Sequence, residues 1–100
     1  MSAYIISDVI VADQSALAKY RDIAAATHAK FGGKYVVRGG GVTVLEGERH
    51  PKLMIIVEFP DVETIHRWYN SGEYAEALQY RDAAFSSRSL IIVDGFNPEV

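Results

Sequence analysis

The spacing of apolar residues changes at Asp13. Residues 3–11 form a β-branched and apolar stretch without a turn residue, which is typical of a strand. Asp13 is a suitable N-cap for a helix that begins near Gln14, because its carboxylate can accept hydrogen bonds from the free amide groups of the first turn. Apolar side chains then recur every three or four positions, as expected for one face of an amphipathic helix. This stripe consists of Leu17, Tyr20, Ala24, His28 and Phe31.

Strand and helix patterns alternate again after the glycine pair at residues 32–33, which is expected to end the first helix. The further strands are predicted over residues 34–38, 42–48, 53–59 and 89–94, before a tail over residues 95–100. The first two of these are expected to be one long strand that bends through three glycines. The second helix is predicted in two pieces, residues 62–70 and 73–85, with Asp61 and Ser71 as their N-caps.

The predicted order of elements is β-α-β-β-α-β, with the second helix broken. This order is typical of the ferredoxin-like fold, an α+β arrangement in which a four-stranded antiparallel sheet carries both helices on one face. A chain of 100 residues without repeats or linkers suits a single domain spanning residues 1–100.

Two helices can cover only one face of such a sheet, yet the predicted strands are apolar on both faces. In the third strand, Met54 and Ile56 share a face with Glu58, while the other four residues point to the opposite face. Left exposed, the second face would be an apolar patch of roughly several hundred Å², which monomers rarely show. We therefore predict a homodimer or higher homo-oligomer in which a second copy packs against this face. The alternative is that a different protein covers it.

Charged or titratable residues interrupt the apolar patterns at five positions. Asp8 lies within the first strand, Arg38 and Glu58 lie at or near strand ends, and His28 and Arg81 lie on the stripes of the two helices. One interpretation is a structural network, because a buried charge needs a partner. In the other, an arginine binds a substrate carboxylate or enolate while a neighbouring group moves a proton. The candidate catalytic residues are Arg38, His28, Asp8 and Glu58, and Arg81 is a candidate for substrate binding.

An aromatic cluster surrounds the predicted helix break and contains Trp68, Tyr69 and Tyr74. Such a cluster is either part of the core or the wall of a pocket for an aromatic or polyketide-like ligand. These three residues join Arg81 as candidates for substrate binding. Two functions are considered: a small-molecule-binding dimer whose pocket, if catalytic, does cofactor-free acid–base chemistry on an organic anion, and a non-catalytic dimeric module in which the same charges are structural. The residues do not decide whether the protein is an enzyme.

Composition and charge narrow the partners and the location. The net charge of −3 and the absence of a basic run argue against nucleic acid and membrane surfaces as partners. The apolar fraction of 49% and charged fraction of 23% are ordinary for a folded globular protein. The chain has no cysteine, which permits a reducing compartment, and its N-terminus lacks the basic region of a signal peptide. We therefore expect a cytoplasmic protein.

No motif indicates a metal or a cofactor, and we expect none. The three histidines lie in separate predicted elements, without the spacing of a zinc site. The Arg38-Gly-Gly-Gly stretch is followed by strand-like residues rather than by Lys-Ser/Thr and a helix, so it does not fit a phosphate-binding loop.

Several blocks of the sequence resemble a known family. The stretch GGKYVVRGG with a later LEG, and the block WYNSGEY with a following arginine, are similar to the domain-of-unknown-function family 1330, in the dimeric α+β barrel superfamily. Gly72 departs from the family, which usually has proline there. The resemblance covers nearly the whole chain and implies a ferredoxin-like subunit that pairs through its sheet. It implies no activity, because the family has none established; related superfamily members include cofactor-free monooxygenases, isomerases and lyases, as well as proteins without known catalysis. By analogy with these members, oxygenase-like chemistry on the anion is a further expectation.

Overall fold

In the computed structural model, which describes residues 1–96, the chain forms a sheet with helices on one face. The strands are β1 (Ala3–Val11), β2 (Lys34–Arg38), β3 (Leu53–Phe59) and β4 (Phe85–Asp94). The helices are α1 (Gln14–Lys30), α2 (Val62–Tyr69) and α3 (Gly72–Ala84). The strand order is β2-β3-β1-β4, and every adjacent pair is antiparallel. The predicted ferredoxin-like fold with a broken second helix is therefore confirmed.

The helices begin where the sequence predicts. Asp13, Asp61 and Ser71 each accept a hydrogen bond from the backbone N–H three residues further along the chain, at 3.0, 2.7 and 3.1 Å. Each bond satisfies an amide that has no partner within its own helix. The break between α2 and α3 is consequently a new, capped helix start rather than a kink in one helix.

The predicted continuation of β2 over residues 42–48 is wrong. The strand ends at Arg38, and residues 39–52 contain no helix or strand. Gly39 has a φ of +73° and donates its N–H to the carbonyl of Met54 at 2.9 Å, after which the chain leaves the sheet. Apolar and β-branched residues favour a strand only where a neighbouring strand can pair with them, and the described part of this chain provides none there.

A bulge in β2 decides the direction of Arg38. The register shifts between Tyr35 and Val37, so that Val36 is an extra residue in the strand. In a regular strand without the bulge, Tyr35 and Arg38 would point to opposite faces, because side chains alternate and the two are three residues apart. With it, both lie on the helix-covered face, and the Arg38 guanidinium lies 4.6 Å from the centre of the Tyr35 ring. The bulge comes before the glycines and not within them.

The fourth strand begins four residues earlier than residues 89–94, the predicted range. Phe85, predicted to be the last residue of the helix, has an extended backbone with φ −122° and ψ 133° and pairs with Val11 of β1. Strand pairing across the sheet thus overrides the helical spacing at this position. As a result, Arg88 belongs to β4, where it pairs with Val9 on the helix-covered face.

The residue that follows β4 forms a hydrogen bond with the start of the chain. Gly95 donates its N–H to the carbonyl of Ser2 at 2.8 Å, directly after the end of β4. A Cβ atom at Gly95 would lie 2.4 Å from the same oxygen, so a side chain cannot be added without moving the backbone. Of the predicted tail over residues 95–100, residues 97–100 lie outside the described part of the chain.

The two faces of the sheet differ in what covers them. The helix-covered face carries the core, in which Val57, Phe59, Trp68 and Tyr74 are at most 1% exposed. On the other face, cross-strand pairing aligns four apolar residues in one row across all strands: Val37, Ile56, Ile6 and Ile91. At the edge of this row, Ile91 is 53% exposed. None of the helices within residues 1–96 is long and apolar enough to cross a membrane.

We expect that replacing Gly72 by proline stabilises the protein by about 0.5–1 kcal/mol, because proline restricts the unfolded chain. Gly72 is the first residue of α3, where proline is favoured, and Ser71 before it has φ −75° and ψ 152°, as a residue preceding proline requires. No atom lies within 4 Å of a Cβ built on Gly72. Urea unfolding measures the change.

The matched control is Gly33→Ala, at a glycine where space is short. A Cβ atom on Gly33 would lie 3.0 Å from the carbonyl oxygen of His28 and from the ring of Phe59, so this variant is expected to be less stable than the wild type. A loss of stability on Gly72→Pro would contradict the assignment of Gly72 to the first turn of α3.

Candidate functional site

A cavity of about 40 Å³ lies between α1 and the sheet. This volume is enough for a few water molecules. Most of its wall is apolar, with contributions from β1, β3, α1 and the indole of Trp68. The polar and charged residues of the wall are Ser7, Tyr20, Arg21, His28, Tyr35 and Arg88. Among the described residues, no aspartate or glutamate contributes to the wall, so the charged groups of the cavity are all basic.

Arg88 joins three elements through two tyrosine hydroxyls. Its Nη2 donates to the hydroxyl oxygen of Tyr20 at 2.8 Å and to that of Tyr74 at 2.9 Å, and the two hydroxyls are 2.7 Å apart. Tyr20 comes from the buried stripe of α1, Tyr74 from the first turn of α3, and Arg88 from β4. The guanidinium also lies 5.1 Å from the Tyr20 ring and 5.5 Å from the Phe85 ring, within the range of cation–π attraction.

This cluster holds a positive charge without a compensating carboxylate. Burial and the neighbouring Tyr74 raise the pKa of Tyr20 far above its ordinary value, so its hydroxyl is neutral. Burial opposes the charge of Arg88, but the two hydroxyls favour it, and the pKa of Arg88 stays above its ordinary value. Within residues 1–96, no carboxylate forms an ion pair with Arg88, and its Nε is buried without a hydrogen-bond partner.

His28 also lies in the wall of the cavity, and its side chain is a neutral imidazole. It is 6% exposed, and its Nδ1 is buried without a hydrogen-bond partner among the described residues. Its ring centre lies 5.0 Å from that of Trp68 and 5.4 Å from that of Tyr35. Burial, followed by the positive charges of Arg88 and Arg38, lowers the pKa of His28 to about 4. The imidazole is therefore uncharged at neutral pH.

Trp68 is held in a fixed orientation beside this histidine. Its indole N–H donates to the hydroxyl oxygen of Thr27 at 3.0 Å, and that hydroxyl donates in turn to the carbonyl of Ala24 at 2.7 Å. On its other side, the indole packs against Tyr74 with 4.2 Å between ring centres. The bonds to α1 and the packing against α3 leave the indole little freedom to rotate.

The structure brings His28, Trp68 and Tyr74 together, with Arg38 stacked on Tyr35 beside them, but it does not bring Asp8 or Glu58 there. Asp8 and Glu58 lie on the uncovered face of the sheet, because side chains alternate along a strand and both positions are out of phase with the core residues. Asp8 instead accepts a hydrogen bond from Arg49 at 2.6 Å.

Arg81 and Tyr69 also lie away from the cavity, beside an open depression between α3 and β4. The predicted burial of Arg81 is wrong, since its side chain is 35% exposed and its Nε lies 3.3 Å from the carboxylate of Asp82. The helical spacing grouped Arg81 with Tyr74, Leu78 and Phe85 on one buried stripe, but Phe85 belongs to β4 and not to the helix. Tyr69 is 44% exposed.

Arg88 and Tyr35 were not among the predicted site residues, and Tyr20 was predicted only as part of the apolar stripe. Arg88 precedes the predicted last strand, residues 89–94. Strand alternation therefore could not be used to predict the direction of its side chain. In a strand that starts before Arg88, this residue shares a face with Leu90 and Ile92, because the three are spaced two residues apart. An earlier predicted start would therefore have assigned Arg88 to the covered face. Among the described residues, no three histidine or acidic side chains are positioned to hold a metal ion.

Comparisons with known families and solved structures identify the family and support the fold. A family model described as "Domain of unknown function (DUF1330)" matches residues 2–96. No curated protein matches the chain. A protein of unknown function from Rhodopseudomonas palustris is similar in structure, with a TM-score of 0.79 and 23% identity, over 97% of this chain and 84% of that one.

Two further solved structures share the arrangement at lower identity. A protein from Bacteroides fragilis, described as dimeric, ferredoxin-like and of unknown function, has a TM-score of 0.62 and 14% identity over 94% of this chain and 96% of that one. A protein from Nitrosomonas europaea, provisionally named an antibiotic biosynthesis monooxygenase, has a TM-score of 0.56 and 11% identity over 97% of this chain and 91% of that one. At these identities the likeness establishes the fold and nothing of the chemistry.

We expect the buried neutral state of His28 to make the protein acid-sensitive. The pKa of about 4 in the folded protein lies below the ordinary value of 6.5, so the unfolded chain takes up the proton first as the pH falls. The stabilisation is complete above about pH 6.5 and is lost on acidification toward pH 4, by at most about 3 kcal/mol.

Urea unfolding of the wild type, His28→Gln and His66→Gln between pH 7.5 and 4.5 measures this loss. His28→Gln should lose less stability over this range than the wild type, whereas His66→Gln, at an exposed position, should follow the wild type. Equal acid sensitivity of the wild type and His28→Gln would show that His28 is not the group responsible.

Proposed function

This chain belongs to the DUF1330 family, and from that premise we propose that it is a homodimeric protein that binds a small organic anion at the cavity between α1 and the sheet. The cavity of about 40 Å³ has to widen to admit such an anion. The observation that carries the proposal is the charge of Arg88, which lies against two neutral hydroxyls and, among the described residues, has no carboxylate partner. Removing a guanidinium from water without an opposite charge costs free energy. An anionic ligand supplies the missing charge.

The groups around Arg88 suit a carboxylate or an enolate. The buried Nε–H has no acceptor among residues 1–96, and hydrogen bonds from a charged donor to a charged acceptor are the stronger ones. The hydroxyl protons of Tyr20 and Tyr74 can turn toward the same anion, because a hydroxyl both donates and accepts. Trp68 and Tyr35 then contact the apolar part of the ligand.

His28 favours binding over catalysis as the primary function. A base with a pKa of about 4 is a weak proton acceptor at neutral pH, whereas its neutral ring can accept or donate a hydrogen bond to a ligand. A bound anion raises the pKa of the imidazole, since it favours the charged form. Cofactor-free acid–base chemistry with His28 as proton carrier is therefore the second candidate, and it is supported by the free Nδ1. Oxygenase-like chemistry rests only on the name of the Nitrosomonas protein.

Homodimerisation is supported by the apolar row on the uncovered face. Ile6 lies at the centre of this row, directly opposite Ile56 on one side and Ile91 on the other. Burying such a row against a second copy removes apolar area from water at roughly 25 cal/mol per Å². The Bacteroides fragilis protein with the same fold is described as dimeric, which agrees with this assembly.

We expect Ile6→Glu to convert the dimer to a monomer, because it introduces a charge at the centre of the contact. The control is Ile6→Val, which keeps the apolar surface and should remain dimeric. Sedimentation velocity at micromolar concentration measures the mass, and circular dichroism verifies that both variants are folded. A wild-type protein that sediments as a monomer at this concentration would contradict the proposed assembly.

We expect a small carboxylic acid to stabilise the wild type but not a folded Arg88→Gln variant. A ligand at about 100 times its Kd raises the free energy of unfolding by about 2.7 kcal/mol. A panel of aliphatic and aromatic monocarboxylates is tested by the shift in melting temperature. Trp68, the single tryptophan of the chain, reports binding by its fluorescence.

The matched control is Arg67→Gln, which removes an exposed arginine outside the cavity that pairs with Glu63. This variant should bind the same acids as the wild type. If Arg88→Gln fails to fold and no acid stabilises the wild type, the Arg88 cluster is a structural network and the protein is better described as a non-catalytic module. Unchanged binding by a folded Arg88→Gln would also overturn the proposed site.

A further inference from the structure

The arginines of this chain divide into two groups according to their partners. Among the described residues, three pair with carboxylates: Arg49, Arg67 and Arg81. The remaining three form no such pair within residues 1–96: Arg21, Arg38 and Arg88. All three of these arginines lie in or beside the cavity described above. Positive charge therefore surrounds the cavity, although the net charge of the chain is −3.

Two of these arginines lie around Tyr35, away from the third. Arg21 contributes to the cavity wall from α1, and Arg38 stacks on the ring of Tyr35, which also belongs to the wall. Both side chains are exposed. Burial raises the pKa of Tyr35, and the charges of Arg38 and Arg21 oppose this rise.

The third arginine approaches the cavity from the opposite edge of the sheet. Arg88 belongs to β4 and Arg38 to β2, the two edge strands. Three spacings between neighbouring strands separate their backbones by about 14 Å. His28 lies close enough to both guanidiniums for each to lower its pKa. Basic groups therefore flank the cavity from two sides, with the buried, unpartnered Nδ1 of His28 in its wall.

We propose that the bound anion is an organic dianion of the dicarboxylate type, with one carboxylate at Arg88 and the hydroxyls of Tyr20 and Tyr74, and the other at Arg21 and Arg38. The inference rests on the proposed function, because it concerns the ligand of the same cavity. A ligand with one charge leaves the two outer arginines without an opposite charge. The wall contributed by Val9, Leu17, Ala24, Ile55 and Trp68 suits an apolar linker between the two carboxylates.

The test compares dicarboxylates with monocarboxylates of the same carbon number, from succinate against butyrate to pimelate against heptanoate. Affinities are measured by Trp68 fluorescence at neutral pH and low salt, where attraction between charges is screened least. At least one dicarboxylate is expected to bind the wild type about tenfold more tightly than its monocarboxylate partner. Arg21→Gln and Arg38→Gln should each reduce this preference to about twofold or less, because each weakens dicarboxylate binding more than monocarboxylate binding. Arg67→Gln should retain the full preference.

The outcomes separate this inference from the function on which it rests. If mono- and dicarboxylates bind equally and both depend on Arg88, the anion site stands and the dianion inference is overturned. The inference is also overturned if a preferred dicarboxylate is indifferent to Arg21→Gln and Arg38→Gln. If the wild type binds no acid of either kind, the proposed function fails, and the dianion inference fails with it.

Discussion

The guanidinium of Arg88 connects β4 to two of the three helices, α1 and α3. Through one nitrogen it donates to Tyr20 of α1 and to Tyr74 of α3, whose hydroxyls also contact each other. The indole of Trp68 packs on Tyr74, and His28 packs on the indole, so the position of each aromatic ring depends on its neighbour. Because the cluster combines hydrogen bonds with a charge that lacks a carboxylate partner among the described residues, it links the stability of the fold to the candidate site.

The sheet separates two kinds of charged residue. On the covered face, the charges that reach the cavity are basic and unpaired within the described chain. Asp8 and Glu58 are on the uncovered face, and Asp8 binds Arg49 there. This separation follows from alternation along the strands, which directs neighbouring residues to opposite faces. The described wall of the cavity therefore contains basic side chains and no carboxylate, although the net charge of the protein is −3.

Local patterns were sufficient for most of the fold. The bounds of β1 and β3 and the caps at Asp13, Asp61 and Ser71 depend on residues close in sequence, so spacing and side-chain chemistry predicted them. The errors lie where pairing with a distant strand decides the structure. Residues 42–48 have strand-like composition but no partner strand within the described part of the chain. Phe85 continues a helical stripe in sequence, yet its backbone pairs with β1.

Local spacing of residues was enough to predict the order of the elements, the burial of His28 and Tyr20, and the apolar character of both faces of the sheet. These properties follow from periodicity, which local backbone geometry creates. The composition of the site, in contrast, depends on how distant segments of the chain pair. A single extra residue in β2 turned Arg38 toward the cavity, and the early start of β4 brought Arg88 to the hydroxyls of Tyr20 and Tyr74. The register between strands distant in sequence fixes both positions, and no local spacing of residues encodes that register.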